Sequence, residues 1–434
     1  MPLSPPGPVL DIAKRLETEG FETWCVGGAV RDALLGHAHL DWDLATAATP
    51  QDVRRLFRRT VPVGIEFGTV GVLDKNGIMH EVTTFRRDVE TDGRHAVVTF
   101  GATIDEDLAR RDFTLNAIAY HPETGRLHDP FGGQKDIERR VIRAVGDPQE
   151  RMREDRLRAL RAIRFAARFD FDIDLETWQA IANSASHLGR LSPERVKQEL
   201  EKTMEQVERP GHALELWQDS GALRTLLPAL EAISAITLRT LDHLPIATGK
   251  RASQRKMIRL AALFGELPPR DAEKTARKLR FSNQQIAWIR AIVEHARTVH
   301  DDMLAVVRGH DVSPVRARQW IAIAGRTRIP SVLRLAAARF AAEREAEQPA
   351  PSTRSINGLY RRVLRSAFRE PVELGDLAVH GDDLKRAGVA EGPEMGWVLH
   401  RLLDVVLEDP SRNTVEELLR LAAELRDRYR NGER

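Results

Sequence analysis

The segment Trp24-Cys25-Val26-Gly27-Gly28-Ala29-Val30-Arg31-Asp32-Ala33-Leu34-Leu35-Gly36, with Leu40-Asp41-Trp42-Asp43-Leu44-Ala45-Thr46 close behind it, decides how the N-terminal part of this chain folds. Its apolar opening reads as a strand, the glycine pair as a turn, and the residues after the pair as a short helix ended by Gly36. Glycine lets a backbone approach phosphate oxygens closely, and a helix N-terminus offers free N–H donors. Arg31, near the start of that helix, is within reach of the same anion. A purely structural turn would use the same Gly27-Gly28 pair. In the second segment a strand puts Asp41 and Asp43 on one face, because side chains alternate with period two. Neighbouring carboxylates repel unless a cation lies between them, and oxygen-only ligands favour Mg²⁺. Such a pair can also serve two metals, one activating an attacking hydroxyl and one neutralising leaving pyrophosphate. On its own Asp-x-Asp also reads as a solvated surface pair. The glycine turn about a dozen residues earlier makes the combination far more specific than either part.

Outward from this segment, short β-rich runs recur at Thr23 to Val26, Gly68 to Leu73, Met79 to Phe85 and Ala96 to Phe100. One intervening helix is well punctuated: Thr49 caps it, Pro50 takes its first position, and Asp52 supplies a capping carboxylate. After about residue 131 strand signals nearly vanish and apolar residues recur every three or four positions to the C-terminus. Glu150 to Phe169, Pro193 to Val207, His212 to Trp217 and Val415 to Arg426 all read as helices, and Gln348 to Ser355 as a linker or long loop. The expectation is an α+β protein: a mixed α/β head followed by an elongated all-helical remainder.

Composition sets the outer bounds. The 434 residues exceed what one core usually organises. An apolar share of 42% with 30% charged residues argues against disorder, and no apolar run approaches the length of a membrane span. Met1 to Leu10 lacks the basic start and apolar core of an export signal. The single Cys25 excludes an intrachain disulfide and fits a reducing cytoplasm; in its apolar run it reads as a small buried side chain. The net charge of +2 neither demands nor excludes nucleic acid, since what matters is where the basic side chains lie.

Two further segments carry chemistry: Arg110-Arg111-Asp112-Phe113-Thr114-Leu115-Asn116-Ala117, and Arg153-Glu154-Asp155-Arg156-Leu157-Arg158 running on to Arg161, Arg164 and Ala166. The second reads as one helix on which Glu154, Arg158, Arg161 and Phe165 form a stripe. A solvated helix laced with local ion pairs has the same spacing. Cytosine and adenine both present an amino donor beside a ring-nitrogen acceptor. Asp155 accepting and Arg158 donating would match both, whereas guanine and uracil would leave both groups mispaired. Glu154 is placed to orient Arg158, and Arg161 and Arg164 to serve phosphates or fix the others.

The glycine turn followed by two strand carboxylates resembles the nucleotidyltransferase superfamily that includes DNA polymerase beta. That resemblance implies a third carboxylate from a nearby strand, for which Glu81 in His80-Glu81-Val82 is the candidate, a charge at a strand edge being the alternative. Gly-Gly-x-Val-Arg-Asp, Asp-x-Asp, Arg-Arg-Asp-Phe-Thr-x-Asn-Ala and Glu-Asp-x-x-Arg, in this order, resemble the bacterial and eukaryotic CCA-adding enzymes and the related bacterial poly(A) polymerases. The resemblance implies nucleotide contacts from Gly28, Arg31, Arg110, Asp155, Arg158, Arg161 and Arg164, with Gly27 in the turn and Arg111 as an alternative to Arg110. It implies Mg²⁺ at Asp41 and Asp43, and Thr91 to Ala96 as a loop needed for switching from C to A addition. It also implies four parts: a head (palm) over 1–130, a neck with the nucleotide-selecting helix over 131–205, a body over 206–345 and an RNA-binding tail over 346–434. The expected activity is template-independent addition of CCA to a tRNA 3′ end from CTP and ATP, with poly(A), C-only or A-only addition as rivals. An RNA-binding protein with an inactive head is a more distant one. His300-Asp301 and His310-Asp311, with His243 and His295, offer residue types of the His…His-Asp…Asp phosphohydrolase cluster carried by some relatives, but His295 and His300 are five apart and do not share a helical face, so no metal site is expected there.

Overall fold

The computed structural model describes residues 3–37, 41–91, 96–246, 249–307 and 311–432. Two compact units divide the chain: Met1–Thr203 with His212–Glu231, and Met204–Gly211 with Ala232–Arg434.

The first unit starts with α1 (Gly7–Thr18), β1 (Thr23–Val26), α2 (Gly28–Leu34), β2 (Asp43–Thr46) and α3 (Pro50–Leu56). Strands β3 (Thr60–Gly64), β4 (Thr69–Leu73), β5 (Met79–Thr84), β6 (Arg86–Thr91) and β7 (Ala96–Phe100) come next, then α4 (Ile104–Ala109), β8 (Ala119–Tyr120), β9 (Leu127–His128) and α5 (Gly133–Arg139). The seven-stranded sheet runs β3-β4-β5-β2-β1-β8-β9, with β6 and β7 as a separate hairpin. Only β2 and β5 pair in parallel within the large sheet. All four residues of β1 are buried, because the sheet is covered on both faces. Cys25 and Leu44 belong to one core cluster, Trp24, Val26 and Ala45 to another, as period-two alternation requires. Burial, and secondarily the charge of Asp43, pushes the Cys25 thiol up to about 12, so this cysteine is a packing residue. Thr49 and Asp52 close a reciprocal capping box at the start of α3.

The helical part of the unit holds β10 (Val141–Ile142), α6 (Pro148–Glu154), α7 (Leu157–Phe169), β11 (Asp172–Ile173), α8 (Leu175–Ser184), α9 (Pro193–Gln206), α10 (Pro210–Asp219) and α11 (Ala222–Leu226). The continuous helix expected from Glu150 to Phe169 is broken: α6 ends at Asp155, whose φ of −142° and ψ of 103° are extended. The Asp155 carboxylate accepts from the Leu157 amide at 3.0 Å. A short acidic side chain that bonds two residues ahead competes with the helical ladder, which period analysis does not register. Strand structure also persists past residue 131, as the two-residue parallel pair β10–β11.

The second unit holds α12 (Ala235–His243), α13 (Ala252–Leu263), α14 (Pro269–Lys278), α15 (Asn283–Val307), α16 (Pro314–Ala324), α17 (Ile329–Glu345), α18 (Thr353–Arg369), α19 (Gly381–Arg386), α20 (Pro393–Glu408) and α21 (Val415–Arg430). The loop expected over Gln348 to Ser355 ends at Ser352, whose hydroxyl caps α18 by accepting from the Ser355 amide. Arg259, with no exposed surface, donates to the carbonyls of Met204, Val207, Glu208 and Leu244. It thereby satisfies orphan carbonyls at the end of α9. Burial, opposed by Asp242 and Glu208, brings its guanidinium down to about 10. No helix among the described residues is long and apolar enough to cross a membrane. Asp92 to His95, at the centre of the expected switching loop, lie outside the described residues.

Candidate active site

Strand register assembles the acidic centre. Val26 pairs with Asp43, so the turn at Gly27 emerges beside the Asp43 carboxylate. Gly27 has φ +76°, and a Cβ there would stand 3.1 Å from Arg111 Nη1 and 3.9 Å from Asp43 Oδ2. Only glycine combines that backbone angle with that closeness. On the other side β2 lies parallel to β5 with Leu44 opposite Val82, which brings Glu81 next to Asp43. Burial, then the charges of Glu81 and Asp41, push Asp43 up to about 7, while Arg111 opposes them. β2 begins at Asp43; Asp41 precedes the strand and is exposed.

Next to this centre is a cavity of about 420 Å³ walled by Gly27, Gly28 and Asp43 together with Arg31, Arg110, Arg111, Asp155, Arg158 and Arg161. Of the residues expected from sequence, these nine line it. Asp41, Glu81, Glu154 and Arg164 do not.

The cavity arginines are held by carboxylates. Asp107, nearly fully buried on α4, accepts from Arg110 at 2.7 Å and Arg111 at 3.1 Å. Although burial works against it, the two guanidiniums keep its carboxyl below the usual range. Arg31 donates to Asp32 Oδ1 at 2.7 Å and to Asn116 Oδ1 at 2.6 Å. Asn116 donates in turn to Asp112 at 2.8 Å, and Asp112 accepts both Nε and Nη2 of Arg161 at 2.8 and 2.6 Å. Burial disfavours the Asp112 charge, yet Arg161 holds its carboxyl low, and Asp112 raises Arg161 reciprocally. This Arg31–Asn116–Asp112–Arg161 chain links α2 to α7, far apart in sequence. Below it Phe165 carries guanidiniums of Arg31 and Arg161 at 5.0 and 5.4 Å from its centroid, cation–π contacts that fix both arginines.

At the other wall, Arg158 donates to Glu154 Oε2 at 2.6 Å and to the carbonyls of Arg151 and Arg110. Glu154 is therefore a positioning residue for Arg158, across the break between α6 and α7. Asp155 is not paired with Arg158; both its carboxylate oxygens accept from Arg195 Nη2, at 2.9 and 2.8 Å. Arg164 turns away from the cavity. It lies buried against Glu199 at 2.7 Å and over the Phe165 ring at 4.4 Å, a core ion pair that leaves it outside the cavity lining, where the resemblance implies a nucleotide contact. The helix breaks at Asp155, yet the expected stripe keeps its contacts, with Glu154 on Arg158 and Arg161 over Phe165.

No role was read from sequence for Asp107, Asp112, Asn116, Arg195 or Glu199, and Phe165 was read only as a member of the stripe. Asp112 and Asn116 stand inside the quoted Arg110 to Ala117 segment, where polar groups interrupt buried Phe113, Leu115 and Ala117; that interruption is the signal that marks them. Arg195 and Glu199 become visible only when α9 packs beside α7. In the second unit His300 is buried against Glu343, with Nε2 at 2.8 Å from its carboxylate. No group of three or more His, Cys, Asp or Glu side chains that could hold a metal occurs among the described residues.

Two family models match the chain: "Poly A polymerase head domain" over residues 23–143, and "Probable RNA and SrmB- binding site of polymerase A" over residues 170–234. A CCA-adding enzyme from Geobacillus kaustophilus is 36% identical over 98% of this chain and 98% of its own length. The chain belongs to the CCA-adding enzyme family. Another CCA-adding enzyme, from Pediococcus pentosaceus, is 32% identical over 94% of this chain and 95% of its own. The crystal structure of the Bacillus stearothermophilus CCA-adding enzyme in complex with CTP superposes with a TM-score of 0.76 at 32% identity, covering 98% of both chains. As a CCA-adding enzyme the protein is a tRNA nucleotidyltransferase, and membership of that family implies a divalent metal ion.

Proposed function

We propose that the cavity binds CTP and then ATP, and that the protein adds C, C and A to the 3′ end of tRNA without a template. The carrying observation is the convergence on one cavity of the Gly27 turn, the Asp43 carboxylate, a preorganised arginine set and the Asp155–Arg158 wall. The 3′-hydroxyl attacks the α-phosphate, a new O–P bond forms, the bond to the β-phosphate breaks, and pyrophosphate leaves beside Gly27 and Gly28. Arg31, Arg110, Arg111 and Arg161 bind the triphosphate. Their positions are fixed beforehand by carboxylates, so little reorganisation accompanies the reaction.

Asp41 and Asp43 would hold Mg²⁺, with Glu81 as the neighbouring third carboxylate. The residues fit it: in this all-oxygen set burial, then the charges of Glu81 and Asp41, raise Asp43 to about 7, and a cation relieves both costs. A site with one or two carboxylates, completed by water and substrate phosphate, is what Mg²⁺ favours. Bound there, Mg²⁺ supplies charge neutralisation at the triphosphate and the attacking hydroxyl. Asp155 and Arg158 choose the base, which requires Asp155 to exchange Arg195 for the amino group of cytosine or adenine. The head, neck, body and tail boundaries at 130, 205 and 345, RNA binding by the tail, and a cytoplasmic place of action belong to the same reading.

The test is product length on a tRNA lacking its 3′ end, with CTP, ATP and Mg²⁺. Addition that stops after C, C and A is expected. A long A tract from ATP alone, the activity in the name of the matching head model, would replace this reading by poly(A) polymerase. No extension would leave an inactive head.

A further inference from the structure

The two groups assigned to base choice are each held by a partner of opposite charge that does not itself line the cavity. Arg158 and Asp155 belong to the lining, whereas Glu154 and Arg195 do not. Arg158 is fixed by Glu154 together with the carbonyls of Arg151 and Arg110. Asp155 is held more lightly. Its Oδ1 accepts from the Leu157 amide, and a single nitrogen, Arg195 Nη2, stands 2.9 and 2.8 Å from its two oxygens. The other carboxylates of the lining have their own tasks: Asp43 belongs to the acidic centre, and Asp112 accepts from Arg161 and Asn116. Arg195 lies in the first turn of α9, where the helix dipole disfavours a cation. Among the described residues Asp155 is its only side-chain partner. What this arginine contributes therefore passes through Asp155.

We propose that Arg195 is a specificity-determining positioning residue, which keeps one oxygen of Asp155 while the other oxygen reads the incoming base. The inference rests on the nucleotidyltransferase reading above and deepens it. One nitrogen placed between two oxygens leaves further lone pairs of the carboxylate unused. Exchange at a single oxygen is then enough to accept from the amino group of cytosine or adenine. The oxygen that stays on Arg195 keeps the carboxylate aimed at the cavity and compensates its charge when a base excludes water. Uracil and guanine bring a carbonyl oxygen to the same place. A carboxylate tethered by Arg195 cannot swing away from it, so the repulsion acts in full on the wrong base. Without the tether Asp155, whose side chain is 31% exposed, is free to turn to solvent, and the two classes of base are told apart less well.

The experiment compares the full-length protein with R195A, R195Q, R195K, D155A and D155A/R195A. It measures kcat and KM for CTP and for UTP on a tRNA lacking its 3′ end, KM for that tRNA, and the thermal midpoint. In R195A the preference for CTP over UTP, as a ratio of kcat/KM, is expected to fall about tenfold. KM for CTP should rise while KM for tRNA stays unchanged. R195Q, which keeps much of the side-chain volume, should show the same relaxation if R195A folds poorly. R195K, which keeps the charge but not the planar fork, should restore part of the preference. D155A/R195A should be no less selective than D155A, because both changes act through one carboxylate. An unchanged CTP preference in R195A and R195Q with unaltered thermal midpoints would overturn the inference. So would equal losses for CTP and UTP, the mark of a merely structural arginine, or additive losses of preference in the double variant. A wild-type protein that extends tRNA with no preference for CTP over UTP, or does not extend it, would instead reject the reading on which the inference stands.

Discussion

The arginines of the cavity and those of α18 are the same residue used in two opposite ways. In the cavity Arg31, Arg110, Arg111, Arg158 and Arg161 each donate to a carboxylate and sit among buried groups. On α18 Arg354, Arg361 and Arg365 are exposed and, among the described residues, make no ion pair or hydrogen bond. A guanidinium locked by a carboxylate and an aromatic ring has lost its rotamer freedom before a ligand arrives, and this gives geometric selection of one small molecule. A free guanidinium gives attraction without geometry, weakened by salt and indifferent to sequence. Counting basic residues along the chain therefore says little; their partners decide what they do.

The contrast meets its severest test at the acidic centre of the cavity. Asp43→Ala should lower turnover by about 10³-fold or more, with tRNA affinity retained, because metal-assisted charge neutralisation is worth several kcal/mol. Steady-state extension assays check this, and near-normal turnover would remove Asp43 from the metal site.

The buried arm of the arginine network can be cut next. Glu199→Ala leaves Arg164, whose side chain is 4% exposed, without its main partner. The expected loss is about 3–5 kcal/mol of stability in the first unit, seen as a lower midpoint in thermal and proteolysis scans. Glu199→Gln should lose less. Equal stability of both variants with wild type would show that the pair is not a structural anchor.

At the selecting wall, Asp155→Ala should relax discrimination against UTP and GTP by about 10- to 100-fold in kcat/KM, the scale of one or two mispaired polar contacts. Triphosphate affinity should fall much less. Unchanged discrimination would move base selection elsewhere in the cavity.

Asp43→Asn isolates the electrostatic side. With divalent cations chelated, the raised carboxyl makes the folded state prefer the protonated form. Wild-type stability therefore declines as pH rises from about 3.8 to about 7, while the neutral asparagine escapes that decline. The variant should gain on the order of 1–3 kcal/mol above pH 7 and nothing below pH 4. A gain independent of pH would point to packing instead of charge.

The smallest effect is expected on α18. Single Arg354→Ala, Arg361→Ala or Arg365→Ala changes should leave stability within about 0.5 kcal/mol, since no partner is lost. A larger drop would mean that these arginines are held by contacts.

Local sequence rules carried a good deal unaided. β1 runs from Thr23 to Val26 and the Thr49–Asp52 box caps α3 as expected, because side-chain alternation and helix caps depend on neighbours only a few residues away. The α/β head and helical remainder were legible for the same reason, as was the family through its ordered motifs. Which motif residues meet, and what each one touches, was settled by tertiary packing. Register between β2 and β5 put Glu81 beside Asp43. Packing of α9 against α7 gave Asp155 to Arg195 and sent Arg164 into the core with Glu199. The break at Asp155 turned one expected helix into two. An arginine reaches several ångströms from its backbone in any of many rotamers, so its partner is fixed by long-range packing and by the cost of leaving a buried charge unpaired, neither of which is written in its sequence neighbourhood.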